Sequence, residues 1–266
     1  MGVEMPQILA SKLSLFGLPI EMAMRRIKEA GFSGIEVSIT NRFRDYIWRC
    51  QNLAKELNLT LHFHQSWSAD EDPTDWKFKV LEWVGYLPSS GYTLRDHIPR
   101  EINDCPVVIN ADRVNEAPRN LNFWYQTDCI FQDLIPKLAF LEFIRLVERY
   151  DLPVVFDTQH YLEYRLGHFR DLRYLPTGKT ELMKLLEEGW EIFGPHTKEI
   201  HLNDWRPTAR NVFPGTGIAP LREFCQLVKS SGWNGYIVPE ISLGIPIPHS
   251  KDTLNRLRET VDSYFA

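Results

Sequence analysis

Three short apolar runs, each ending in acid, amide or imidazole, constrain this chain most. They are Val154-Val155-Phe156-Asp157-Thr158-Gln159-His160, Ile200-His201-Leu202-Asn203-Asp204 and Tyr236-Ile237-Val238-Pro239-Glu240. Runs of this length and β-branched content read as buried strands. When parallel strands close into a barrel their carboxyl ends meet at one face, so the polar residues there look into a common site. Such a face can hold a divalent metal and do proton chemistry.

The remaining pattern suits that closure. Gln7 to Leu15 reads as a first strand, and Pro19 to Ala30 follows with Ile20, Ala23, Met24 and Ile27 at helical spacing, closed by Gly31. Ile35 to Ile39 is a second strand, Phe43 to Leu57 a helix, and Leu59 to Ser66 a third strand. Leu81 to Leu87 reads as a short fourth strand or a helix end, which makes Pro106 to Asp112 the fifth strand. Phe131 to Arg149 is a long amphipathic helix, Pro153 to Asp157 a sixth strand and Thr180 to Trp190 a helix. Lys198 to Asn203 is the seventh strand, Leu221 to Lys229 a helix, Gly235 to Ile241 the eighth strand and Lys251 to Phe265 a closing helix. Alternation of this kind implies a parallel sheet. With no internal repeat or low-complexity linker, residues 1–266 are expected to form one domain.

Composition narrows the partners. The chain carries 30 basic against 35 acidic residues, the wrong sign for a surface that displaces counterions from a duplex, so no nucleic-acid partner is expected. The local basic clusters (Arg25-Arg26, Arg42 to Arg49, Arg165 to Arg173) alternate with apolar or acidic residues and read as solvated helix faces. Cys50, Cys105, Cys129 and Cys225 are scattered without a CxxC pair, which is ordinary usage in a reducing compartment. No signal-peptide pattern and no apolar run near the ~20 residues of a membrane span are visible. A cytoplasmic protein without a membrane partner is the expectation.

Several residues stand out for chemistry. Asp157 lies at the mouth of its strand, either capping a following helix or facing the site, and His160 three positions on can face the same cavity. His201 and Asn203 share a strand face by the two-residue period. Glu240 ends an apolar strand, where an unpaired carboxylate is costly and needs a metal, a cation or solvent. His62 and His64 share a face, with His64 nearer the strand end. Trp67, Trp124 and Trp205 follow strand ends and can wall a sugar ring, and Gly215-Thr216-Gly217 forms a tight turn able to offer amides to an anion.

The spacing Asp157-x-x-His160, His201-x-x-Asp204, Pro214-Gly215-x-Gly217 and Gly235-x-x-x-x-Glu240, with the opening "IKEAGFSGIEV" from Ile27 to Val37, resembles the xylose isomerase-like TIM barrels. That superfamily includes sugar phosphate isomerases and epimerases, ketose 3-epimerases, inosose dehydratases and endonuclease IV-type nucleases. The resemblance implies a single (β/α)8 TIM barrel, with a shortened or irregular third or fourth βα unit. It implies a divalent metal (Mn, Mg, Co or Zn) on Asp157, His201 and Glu240, with Glu240 also moving a proton. It places His160 against the substrate, Glu36 in the pocket lining, and Arg206, with Trp205 and His64, on a small sugar-like substrate. The family usually adds a fifth-strand glutamate as ligand and second acid/base. Here Asp112 is the nearest carboxylate on the strand read as fifth, so it is the expected fourth ligand and second catalytic group.

Three functions follow as expectations. The first is a metal-dependent isomerase or epimerase of a small sugar, sugar phosphate or polyol, acting through an enediolate; a one-base isomerisation would survive on Glu240 alone. The second is a metal hydrolase acting at abasic sites, which the acidic balance disfavours. The third is a barrel that binds a small ligand without catalysis. A homo-oligomer is compatible with all three.

Overall fold

Ile20, Ala23, Met24 and Ile27 all lie buried on one face of α1 (Ile20–Glu29), the spacing read from the sequence. In this computed structural model of the protein the described residues are 5–15, 18–39, 44–65, 105–110, 123–127, 137–166, 178–206, 209–241 and 251–266. Besides α1 they form the helices α2 (Arg44–Leu57), α3 (Lys137–Tyr150), α4 (Thr158–Leu166), α5 (Lys179–Phe193), α6 (Leu221–Ser230) and α7 (Lys251–Phe265).

Eight parallel strands close on themselves: β1 (Gln7–Ser11), β2 (Gly34–Ile39), β3 (Thr60–Gln65), β4 (Val107–Asn110), β5 (Phe123–Gln126), β6 (Val154–Asp157), β7 (Thr197–His201) and β10 (Tyr236–Val238), with β10 returning to β1. This is the (β/α)8 barrel. Two short strands after β7, β8 (Asp204–Arg206) and β9 (Ala209–Val212), form a separate antiparallel hairpin.

The register corrects one expectation. Val107–Asn110, from the run Pro106 to Asp112, is the fourth barrel strand, not the fifth, because Val107 pairs with Phe63 of β3 on one side and Phe123 of β5 on the other. The fifth strand is Phe123–Gln126, so Trp124 lies inside a strand rather than beyond one. The run Leu81 to Leu87, the expected irregular third or fourth βα unit and Asp112 fall outside the described residues.

Two cores result. Between sheet and helices, Phe156 packs against Tyr161 of α4 at 5.2 Å, Phe224 of α6 at 5.5 Å and Trp190 of α5 at 6.1 Å between ring centroids. Inside the barrel a smaller apolar cluster forms from Val108, Trp124 and Val155, with Tyr236 stacked on Trp124. The strand spacing is tight: a Cβ at Gly34 would lie 2.2 Å from the carbonyl oxygen of Thr60 on β3. Above the apolar plug the barrel lining turns polar.

Candidate active site

Strand alternation stacks the interior in two levels. The deeper level holds Trp124, Val155, Glu199 and Tyr236, with Val155 and Tyr236 both in register with Glu199. Two residues further along their strands come Gln126, Asp157 and His201, the last two in register. Glu36, His64 and Glu240 join this upper level, and every member except His64 is almost fully buried.

Hydrogen bonds knit the upper level. His201 Nε2 lies 3.0 Å from Glu36 Oε2 and 3.0 Å from Glu199 Oε1, so this nitrogen faces two carboxylates and donates. Gln126 donates from Nε2 to Asp157 Oδ2 at 3.1 Å and contacts His201 Nδ1 at 3.2 Å, while its Oε1 accepts from His64 Nε2 at 3.0 Å. The other His64 nitrogen meets Glu36 Oε1 at 3.2 Å. Asn203 donates from Nδ2 to Asp157 Oδ2 at 2.9 Å and to Glu240 Oε2 at 3.0 Å, and accepts the backbone N–H of Glu240 on Oδ1.

Asp157 serves both readings of the sequence. Its Oδ1 accepts the backbone N–H of His160 at 2.9 Å, capping α4, and its Oδ2 looks into the barrel. His160 is oriented from the far side by Glu163, whose Oε2 meets Nδ1 at 3.0 Å, and its Nε2 stands 3.9 Å from Asp157 Oδ2. Beneath the site, Glu199 bridges His201 to the buried His62, which packs edge-on against Trp124 and Tyr236.

Charges sort these groups. Burial pushes the Glu36 carboxyl up, but the charges of His201 and His64 outweigh it and hold the group well below the ordinary carboxylate range. Burial pushes His201 down, yet Glu36 and Glu240 hold it well above the ordinary imidazole range; His64 is raised in the same way, chiefly by Glu36. Glu240 stays raised, because burial and the neighbouring Glu36 outweigh the help of His201. Asp157 is lowered despite its burial, by the charge of His160 and the hydrogen bond of His201. Two carboxylates, one held ionised and one poised to take a proton, thus share one pocket.

The sequence-derived candidates divide accordingly. Asp157, His201, Glu240, Glu36 and His64 converge, and His160 stands at their edge. Trp205 is fully buried in the main core, its indole N–H without a partner among the described residues, and Arg206 is exposed and reaches Thr216 Oγ1 at 3.3 Å. The glycine turn does hold an anion, but it is the chain's own: the Asp204 carboxylate accepts the backbone N–H groups of Trp205, Gly215, Gly217 and Ala219. Gln126 and Glu199 were invisible to motif spacing. Gln126 ends an aromatic run, Phe-Trp-Tyr-Gln, of the same apolar-then-polar form as the other strand ends, and that signal could have found it.

The donor set fits a divalent ion. Glu36, His64, His201 and Glu240 each offer a ligand atom, all within 4.8 Å of one another, and mixed imidazole and carboxylate donors suit manganese, cobalt or zinc.

The family model for the xylose isomerase-like TIM barrel matches residues 120–260. No curated protein matches the sequence. Among solved structures, the chain is similar to D-allulose 3-epimerase from Methylomonas sp. in complex with D-allulose (16% identity, TM-score 0.56, 98% of each chain covered). It is also similar to an L-ribulose 3-epimerase (13% identity, TM-score 0.58, covering 98% of this chain and 94% of that one). A third likeness is to a xylose isomerase-like TIM barrel protein from Mycobacterium smegmatis in complex with magnesium (11% identity, TM-score 0.51, 98% of each chain covered). At these identities the likeness shows the fold.

Proposed function

The chain belongs to the xylose isomerase-like TIM barrel family, and from that membership and its site we propose that it is a metal-dependent isomerase of a small sugar or sugar derivative. One observation carries the reading: Glu240, a buried carboxylate of raised pKa, sits beside the imidazoles of His64 and His201 and the ionised Glu36 at the barrel mouth. The D-allulose and ribulose epimerases of the same fold support a sugar as substrate.

His201 and Glu240 would hold the metal, as the family resemblance implies, with Asp157 or Glu36 and His64 adjoining them. A divalent ion there supplies a Lewis acid that polarises a carbonyl and favours an enediolate. Glu240 takes the proton from the hydroxyl-bearing carbon beside the carbonyl and returns it to the former carbonyl carbon. The hydroxyl proton passes from its own oxygen to the former carbonyl oxygen, so the carbonyl moves by one carbon and no atom is gained or lost. Glu36, held ionised, balances the imidazoles. His160, held at Nδ1 by Glu163, has Nε2 left to donate a hydrogen bond to a substrate hydroxyl. Gln126, an amide at the end of the fifth strand, cannot accept a proton. That favours one-base isomerisation over an epimerisation needing two opposed bases.

Incubation with a panel of aldoses and ketoses in D2O, with Mn2+, Mg2+, Co2+ or Zn2+, tests the reading. Deuterium entering beside the carbonyl, lost in Glu240→Gln, is the expected NMR result. No exchange into any sugar with any of the four ions would overturn it.

A further inference from the structure

We propose that the metal seat in this barrel is built by Glu36, His64, His201 and Glu240, with Asp157 withdrawn from ligation by the amide of Gln126. The inference rests on the metal-dependent reading above and names the ligands it left open.

Asp157 has little left to offer a cation. Its Oδ1 accepts the His160 backbone N–H, and its Oδ2 accepts amide hydrogens from both Gln126 and Asn203. The Gln126 Nε2 stands between Asp157 Oδ2 and His201 Nδ1, where a hydrogen-bond donor takes the place of an ion. A cation entering there would have to displace the amide hydrogens of both Gln126 and Asn203 from Asp157 Oδ2, and weakening the bonds of buried donors is costly.

The opposite side of His201 is different. Glu36 Oε1 and His64 Nδ1 are 3.2 Å apart, Glu36 Oε2 and His201 Nε2 are 3.0 Å apart, and His64 Nδ1 and Glu240 Oε1 are 3.9 Å apart. Tetrahedral bonds of about 2.0–2.2 Å set ligand atoms about 3.3–3.6 Å from one another, so modest shifts bring these four around one ion. What joins them now is protons, which a cation displaces. Two carboxylates also neutralise a divalent charge. Gln126 completes the arrangement by accepting His64 Nε2–H on Oε1, which turns the other nitrogen of that ring towards Glu36 and Glu240.

Chelator-treated protein titrated with Co2+, followed by visible absorption, reads the seat directly. Asp157→Asn is expected to keep Co2+ affinity within about threefold. Glu36→Gln and His64→Ala are expected to lose at least the ~10–100-fold that removing a supporting residue costs a metal site. Gln126→Glu removes the amide donor and adds a carboxylate, so in that background Asp157→Asn should weaken binding as well. Circular dichroism melts confirm folding of each variant, and His64→Gln replaces His64→Ala if the latter unfolds. Crystals of the unaltered protein soaked in Co2+ give a variant-free answer, with an anomalous peak expected between Glu36 and Glu240. A peak between Asp157 and Gln126, or Co2+ binding lost in Asp157→Asn but kept in Glu36→Gln, overturns this seat and leaves the isomerase reading standing. No Co2+ bound by the unaltered protein, together with no deuterium exchange into sugars, overturns both.

Discussion

Asp157 and Asp204 show how much chemistry one carboxylate can organise. Asp157 divides its oxygens between a helix cap and the site, so the two sequence readings of that residue were never rivals. Asp204, fully buried, gathers four backbone N–H groups, three from the Pro214–Ala219 turn and one from its own neighbour Trp205. Asp204→Ala would strand those donors and is expected to cost about 3–5 kcal/mol, read as a lower denaturation midpoint in urea. At Glu240 the prediction concerns pH. In the metal-free protein its pKa is raised from the ordinary 4.5, and a divalent cation bound to it would pull it back down, so added Co2+ should shift the Glu240 titration to lower pH, read by carboxyl infrared absorption with and without the ion. Glu240→Gln should lower kcat by about 10²–10⁴ in steady-state assays of both proteins.

Among the elements, the strands with strong β-branched runs were legible and the aromatic one was not. Val154–Asp157 and Ile200–His201 announce themselves by apolar runs that end in polar residues. Phe123–Gln126 carries a local signal of only three aromatic residues, flanked on its amino side by Asn120 and Asn122, and pairing with β4 and β6 fixes its place. Counted without that strand, the chain offers Asp112 as a fourth ligand, one strand too early. The site's charge pairs were equally hidden, because Glu199 and His201 look like an ordinary alternating strand until the barrel closes on His62. Spacing between β2 and β3 gives a test at this scale. Gly34→Ala would set a methyl against a backbone oxygen that cannot rotate away, and a loss of about 1–3 kcal/mol in thermal or urea unfolding is expected.

For the whole molecule, the buried cluster couples stability to pH. The depressed Glu36 contributes stability that is present above 4.5 and lost as pH falls through its lower folded value. The raised His64 and His201 contribute stability that is complete below 6.5 and lost as pH rises through their folded values. The raised Glu240 opposes Glu36, its contribution being complete below 4.5 and lost as pH rises through its folded value. Glu36 and the two imidazoles together nonetheless place the cluster's best support for the metal-free barrel between about 4.5 and 6.5. Melting midpoints of the chelator-treated protein should fall on either side of that window. Added Co2+ should raise the midpoint most on the alkaline side, where fewer protons compete for the imidazoles; calorimetry across the range checks both.

Beneath the site, the bonded pair of Glu199 and His62 sits in the otherwise apolar floor of the barrel. Neither can drift alone. Replacing His62 by leucine leaves the buried Glu199 carboxylate with one imidazole, His201, in place of two, and replacing Glu199 by leucine leaves the His62 imidazole without its carboxylate. The two positions, on strands 137 residues apart in sequence, should therefore change together or not at all. Each single leucine replacement should fold poorly while the pair together restores a folded barrel, and across homologous chains the two positions should covary as one inherited unit.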